Sequence, residues 1–76
     1  VDLNPWIDSL SKTDPLSQAA ELLGEKRRTV YSWVRFERAP SFKAAMNIVK
    51  VSGGLVDFNG IYYPFVREVE AGNAKF

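Results

Sequence analysis

Residues 16–38 read Leu-Ser-Gln-Ala-Ala-Glu-Leu-Leu-Gly-Glu-Lys-Arg-Arg-Thr-Val-Tyr-Ser-Trp-Val-Arg-Phe-Glu-Arg. Two helical patterns meet there at one glycine. Leu16, Ala19, Ala20 and Leu23 recur at i, i+3, i+4 and i+7, the spacing of one helix face. Gly24 closes that run, because glycine accepts the left-handed backbone of a tight helix exit. A second helix is expected over about 26–36. With Arg27 set at zero and about 100° per residue, Tyr31, Arg35, Arg28 and Ser32 fall between ~40° and ~140°. Val30, Trp33 and Val34 fall between ~240° and ~340° on the same scale. One side of this helix is therefore basic and polar, and the other is apolar.

The pattern continues on both sides of this pair. Asn4-Pro5 is a helix start, with Asn4 as cap and Pro5 at the first helical position, and it predicts a short helix over about 5–12. Trp6, Ile7 and Leu10 share one side of it. Thr13-Asp14-Pro15 repeats the signal, with Asp14 as the cap of the next helix. Downstream, Ala39-Pro40 breaks the basic helix, since the residue before proline is pushed out of the helical region. Ser41 then caps a fourth helix, in which Phe42, Ala45, Met46 and Val49 follow the helical rule and are expected in the core. Ser52-Gly53-Gly54 ends it. Leu55 to Phe58, then Asn59-Gly60, then Ile61 to Tyr63 predicts a β-hairpin around a two-residue turn. Pro64 limits its second strand, a last helical turn or irregular chain follows over 65–70, and residues 71–76 read as a frayed tail. The expected architecture is mainly α: a four- to five-helix bundle with a short C-terminal β-hairpin. It is a single domain over 1–76, with its core at about 4–54 and the hairpin and tail over 55–76.

Composition narrows the chemistry. The 76 residues include neither cysteine nor histidine. A disulfide framework is excluded, and a transition-metal site or a hydrolase triad loses its usual donors. Asp8, Asp14 and Glu21 form no recognisable acid–base site, so no enzyme, cofactor, metal or small-molecule substrate is expected. No apolar run reaches membrane-spanning length and no signal-peptide pattern opens the chain. Its first residue, Val1 rather than Met, points to N-terminal processing or trimming. The overall charge of +1 conceals an asymmetry. Residues 1–24 carry a net −3, residues 25–50 a net +5 and residues 51–76 a net −1. A basic field confined to the middle third favours a polyanion at one face; its bland counterpart is a solvated surface of mixed charge.

Residues 16–35 resemble the helix-turn-helix of the phage Cro and lambda-type repressor family. Ala20 stands where that motif needs a small residue for close helix crossing, and Gly24 stands at its turn. Val30 and Trp33 occupy the anchor positions of the second helix. The run Val30-Tyr31-Ser32-Trp33 resembles the Val-x-x-Trp of many small phage regulators. The Pro40 region, the fourth helix and Ser52-Gly53-Gly54 resemble the segment that follows the motif in short prophage Cro-like proteins. The resemblance covers about residues 16–54. Two positions depart from it. Glu25 replaces the usual aliphatic residue after the turn glycine, and Leu16 stands where many members place Gln, with Gln18 two residues on.

The resemblance implies a lambda repressor-like bundle and a sequence-specific double-stranded DNA-binding regulator. Such a protein is a phage or prophage repressor that works by operator occupancy in the bacterial cytoplasm, on the nucleoid. The physical chemistry agrees on which residues would act. Arg27, Arg28, Tyr31 and Ser32 are the expected base contacts, since arginine can hold guanine through two acceptors and serine can meet several bases. Ser17, Gln18, Lys26, Arg35, Arg38 and Lys43 are the expected phosphate contacts. Each has a bland alternative: Arg27 and Arg28 as solvated charges, Tyr31 as a packing residue. Trp33 reads as core rather than a stacking platform, and Phe36 falls between the two faces, free to pack on the hairpin. Phe58, Tyr62, Tyr63 and Phe65 exceed what a two-stranded ribbon buries alone. They fold back on the helices or line a homodimer interface through Phe58, Tyr62 and Tyr63, the usual way of reading two half-sites. The rival reading is a protein-interaction module, an antitoxin or anti-regulator, that uses the aromatic hairpin.

Overall fold

The helix α2 (Pro15–Leu23) is defined at both ends by its sequence. Asp14 accepts a hydrogen bond from the Ser17 N–H, and Pro15 fills the first position, where no donor is needed. At the other end Gly24 adopts φ 66°, its N–H bonds the Glu21 carbonyl, and the Glu25 N–H bonds the Ala20 carbonyl at 2.9 Å. That pair of bonds is the left-handed helix exit expected of a glycine at this position. After it the chain turns at once into α3 (Arg27–Val34).

The structure, a computed structural model, describes residues 1–73. The remaining elements are α1 (Leu3–Ser9), α4 (Phe42–Val51) and α5 (Phe58–Glu70). Helix α2 packs against α1, α3 and α4, and α4 packs in turn against α5. Leu3, Trp6 and Ile7 of α1 meet Ala19, Ala20 and Leu23 of α2, Val30 and Trp33 of α3, Ala45 and Ile48 of α4, and Val56 and Ile61. Ala20, the small residue expected where α2 and α3 cross, is buried.

Three local expectations are corrected. Asn4 lies inside α1 rather than capping it, and its side-chain amide donates to the Val34 carbonyl at 3.1 Å. It thereby braces the C-terminal end of α3 from another helix. On α4, Ser41 caps as expected, but Phe42 and Met46 are 69% and 52% exposed. Ala45 is buried as expected and Val49 packs partly buried against the core, but Ile48 takes the place expected of Phe42 and Met46, so the buried side of α4 is turned from the predicted stripe. Finally, α3 is shorter than expected. Phe36 ends it in a left-handed conformation, φ 59°, a costly state for a residue with a side chain. Its ring packs edge-on against Phe65 at 5.0 Å, a contact that offsets part of that cost.

The largest correction concerns the C-terminal third. The expected hairpin over residues 55–65 is absent, and the described residues contain helices and no strand. Asp57 explains the change. Its carboxylate accepts from the Gly60 N–H at 2.7 Å, which makes it a helix cap and places Asn59-Gly60 in the first turn of α5. Gly60 is required for closeness rather than for a reverse turn, because any side chain there would run into the Val1 carbonyl. Phe58, Ile61, Tyr62, Phe65, Val66 and Val69 recur at helical spacing. Pro64 removes one backbone donor inside the helix. Burial of Ile61 and Phe65 on either side of it holds the helix together. Of the expected tail, residues 71–73 form the turn that closes α5, and residues 74–76 lie outside the described residues.

Candidate nucleic-acid interface

Helix α3 displays the two faces that its sequence implies. Val30 is 0% exposed and Trp33 is 3% exposed, while Arg27, Arg28, Tyr31 and Arg35 stand on the solvent side. The orientation of α3 is set by neighbours as well as by its own anchors. Asn4 holds its C-terminal end, and Asn47 of α4 donates to the Leu23 carbonyl at 3.0 Å, steadying the turn from which α3 departs. Neither asparagine carries a sequence signal for this role, since the partners lie 30 and 24 residues away.

The expected contact residues form two groups and one outlier. At the start of α3, the Arg27 Nε donates to the Ser17 Oγ at 3.1 Å, and its Nη2 lies 3.4 Å from the Asp14 Oδ1. Ser17 in turn donates its hydroxyl to the Asp14 Oδ2 at 2.7 Å. Ser17 and Arg27, ten residues apart, are thus joined on the edge where α2 and α3 begin. Gln18 follows on the first turn of α2, half-buried, and Lys26 stands exposed just before α3. In the second group Arg28, Thr29, Tyr31, Ser32, Glu37 and Arg38 line one open depression along α3. Arg35 leans over Tyr31, with its guanidinium carbon 5.4 Å from the ring centroid and its Nη1 donating to the hydroxyl at 3.1 Å. Arg35 also pairs with Glu37 at 3.6 Å. Lys43 stands apart, on α4, beside Glu25, Ser41 and Asn47.

These contacts decide what each side chain has left to offer. Among the described residues Lys26, Arg28, Arg38 and Lys43 form no ion pair. Arg28 is therefore the arginine of the α3 face with all its donors available. Ser32 donates its hydroxyl to the Thr29 carbonyl at 2.6 Å, so towards a base it acts as an acceptor. Tyr31 is 41% exposed, and Arg35 props it in place. The Asp14 carboxyl is held below the usual carboxylate range, first by the Ser17 side-chain hydrogen bond, then by the Ser17 backbone, with Arg27 adding to it. The contacts that favour the anion therefore stabilise the fold above the ordinary aspartate pKa and lose that contribution as pH falls through the lowered one.

The three aromatic residues expected at a dimer interface now lie on α5 rather than on strands. Phe58 stacks on Phe42 at 5.8 Å; Phe42 is largely open to solvent and Phe58 is partly so. Tyr62 turns inward and donates its hydroxyl to the Pro40 carbonyl at 2.8 Å, and desolvation pushes its pKa up. Tyr63 is 55% exposed beneath the Arg67 guanidinium. Among the described residues no group of His, Cys, Asp or Glu could hold a metal ion, and no helix is long and apolar enough to cross a membrane. No family model, curated protein or solved structure matches the chain.

Proposed function

We propose that this chain is a sequence-specific double-stranded DNA-binding regulator that represses by occupying its operator, in the manner of the phage Cro-like proteins its motif spacing resembles. The observation that carries the reading is the division of α3. Arg27, Arg28, Tyr31 and Arg35 lie exposed along one side, while Val30 and Trp33 anchor the other in the core. An α-helix presented this way fits the major groove, where arginine and hydroxyl groups discriminate base edges. Lys26 and Arg38 flank the face and suit phosphate. Lys43 suits only a more distant strand, because it stands on α4.

The working form in this reading is a homodimer in the bacterial cytoplasm, joined through the apolar surface that the Phe42–Phe58 stack and the exposed Val66 and Val69 leave on α4 and α5. That same surface supports a second reading, a protein-binding module. It predicts a captured protein partner and no salt-dependent affinity for DNA.

Salt dependence separates the two. Each phosphate neutralised on duplex DNA contributes a slope of about −0.9 to a plot of log affinity against log salt. Three to five phosphate contacts per chain then give a slope of roughly −3 to −4.5 for each chain, and about twice that when a dimer binds a labelled duplex. A slope near zero, or no binding at low salt, contradicts the DNA-binding reading.

A further inference from the structure

We propose that Asp14 is a specificity-determining residue, which restrains Arg27 through Ser17 and so weakens binding to duplex that lacks the operator sequence. The proposal rests on the DNA-binding role argued above. Its basis is the three-residue network at the shared edge of α2 and α3: Ser17 Oγ to Asp14 at 2.7 Å, Arg27 Nε to Ser17 at 3.1 Å, and Arg27 Nη2 to Asp14 at 3.4 Å. Both side chains of the ion pair are about half exposed, at 56% for Arg27 and 50% for Asp14, so an incoming duplex can reach them.

The position of the carboxylate makes this more than a surface pair. Asp14 caps α2 by accepting from the Ser17 N–H at 3.2 Å, so an anion already occupies the helix end that phosphate would otherwise approach. A phosphate arriving there must compete with the Asp14 carboxylate for Arg27. It also gains little from Arg27, because the arginine exchanges one oxygen anion for another. A guanine edge differs. It offers two neutral acceptors in the plane of the guanidinium, which the Nη1/Nη2 edge can meet while Nε stays on Ser17 and Nη2 on Asp14. The network therefore penalises the sequence-blind contact and spares the sequence-reading one. A specific protein needs such discrimination, since non-specific sites outnumber the operator by many orders of magnitude.

The test measures affinity for a selected operator duplex and for a scrambled duplex of the same length, over a range of salt, with Asp14→Asn, Arg27→Ala and the double variant. Asparagine caps helices as well as aspartate does, so Asp14→Asn keeps α2 while removing the charge. Asp14→Ser, also a capping residue, serves as a second neutral variant, and circular dichroism confirms the fold of each. Asp14→Asn is expected to bind the scrambled duplex about 3- to 10-fold more tightly, with a salt slope steeper by up to about one unit, and to bind the operator less than about 2-fold more tightly. In the Arg27→Ala background most of that gain should vanish. An equal gain on both duplexes, or a gain that survives loss of Arg27, overturns the role assigned to Asp14 while leaving the DNA-binding reading intact. Failure of the unaltered protein to bind any duplex overturns both.

Discussion

Trp33→Ala is expected to destabilise the fold by about 3–5 kcal/mol, the usual cost of removing a buried tryptophan. That is a large share of what a chain of this length has, roughly 4–11 kcal/mol at typical per-residue stability. The size of the effect follows from where the indole sits. Trp33 is 3% exposed, in the same cluster as Val30, Ala20, Leu23 and Ile48. It anchors the basic face of α3 from behind, and alanine would leave a void that the surrounding core can only partly close. Urea denaturation should show the loss as a lower midpoint. Phe42→Ala provides the contrast. Its ring is 69% exposed, and its loss should cost less than about 1 kcal/mol in the monomer. Equal effects from the two substitutions would mean that α3 is not held by its inner side.

Arg28→Ala is expected to leave stability unchanged and to weaken binding to the selected operator by about 1–3 kcal/mol, or roughly 5- to 150-fold. Arg28 is the sharpest probe on the face because nothing else holds it. Arg27 is tied to Asp14 and Ser17, and Arg35 is tied to Tyr31 and Glu37. Removing either of those arginines also frees an acid, which blurs the reading. Arg28 lines the depression beside Tyr31, Ser32 and Arg38, and it has no ion-pair partner among the described residues. A lost base contact relaxes the preference at one position of the site, whereas a lost phosphate contact weakens all sequences alike. Competition binding against single-base variants of the operator distinguishes these outcomes. Affinity and preference that both survive the substitution would remove Arg28 from the interface.

The helical pair at the centre was legible because several local signals coincide there. Pro15 after an acidic cap, a four-position apolar stripe, Gly24 at the exit and the two-faced residues 27–35 all point the same way. The C-terminal third misled because two signals conflict. Asn59-Gly60 between β-prone residues is a strong turn motif, yet Phe58, Ile61, Tyr62, Phe65, Val66 and Val69 also fit a helix. Asp57 as a cap and the core's demand for Ile61 and Phe65 decide in favour of the helix. Pro64, which counts against an interior helical position, is tolerated because packing outweighs propensity. On α4 the period was right and Ala45 fell in the core as expected, but Phe42 and Met46 did not. Phe42 and Ile48 are both apolar, and only the position of α2 and α5 decides which of them is buried.

The contact residues were legible as residue types on a face, but their pairings were not. Nothing in the spacing of Asp14, Ser17 and Arg27 says that they meet, since the contact depends on how α2 and α3 cross. The same holds for Asn4 and Asn47, which reach backbone carbonyls of other helices. Glu37 lies close enough to Arg35 in sequence to suggest a pair, but the left-handed Phe36 between them sets its geometry.

Selection of bound duplexes from a random pool, at near-physiological salt, bears most directly on whether the outer side of α3 reads DNA. DNA reading by α3 predicts enrichment of one site, of two-fold symmetry with half-sites about one helical turn apart for a dimer. It also predicts that the preference at one or more positions collapses when the selection is repeated with Arg28→Ala. A pool that stays random through successive rounds, or a preference unchanged by that substitution, would contradict it.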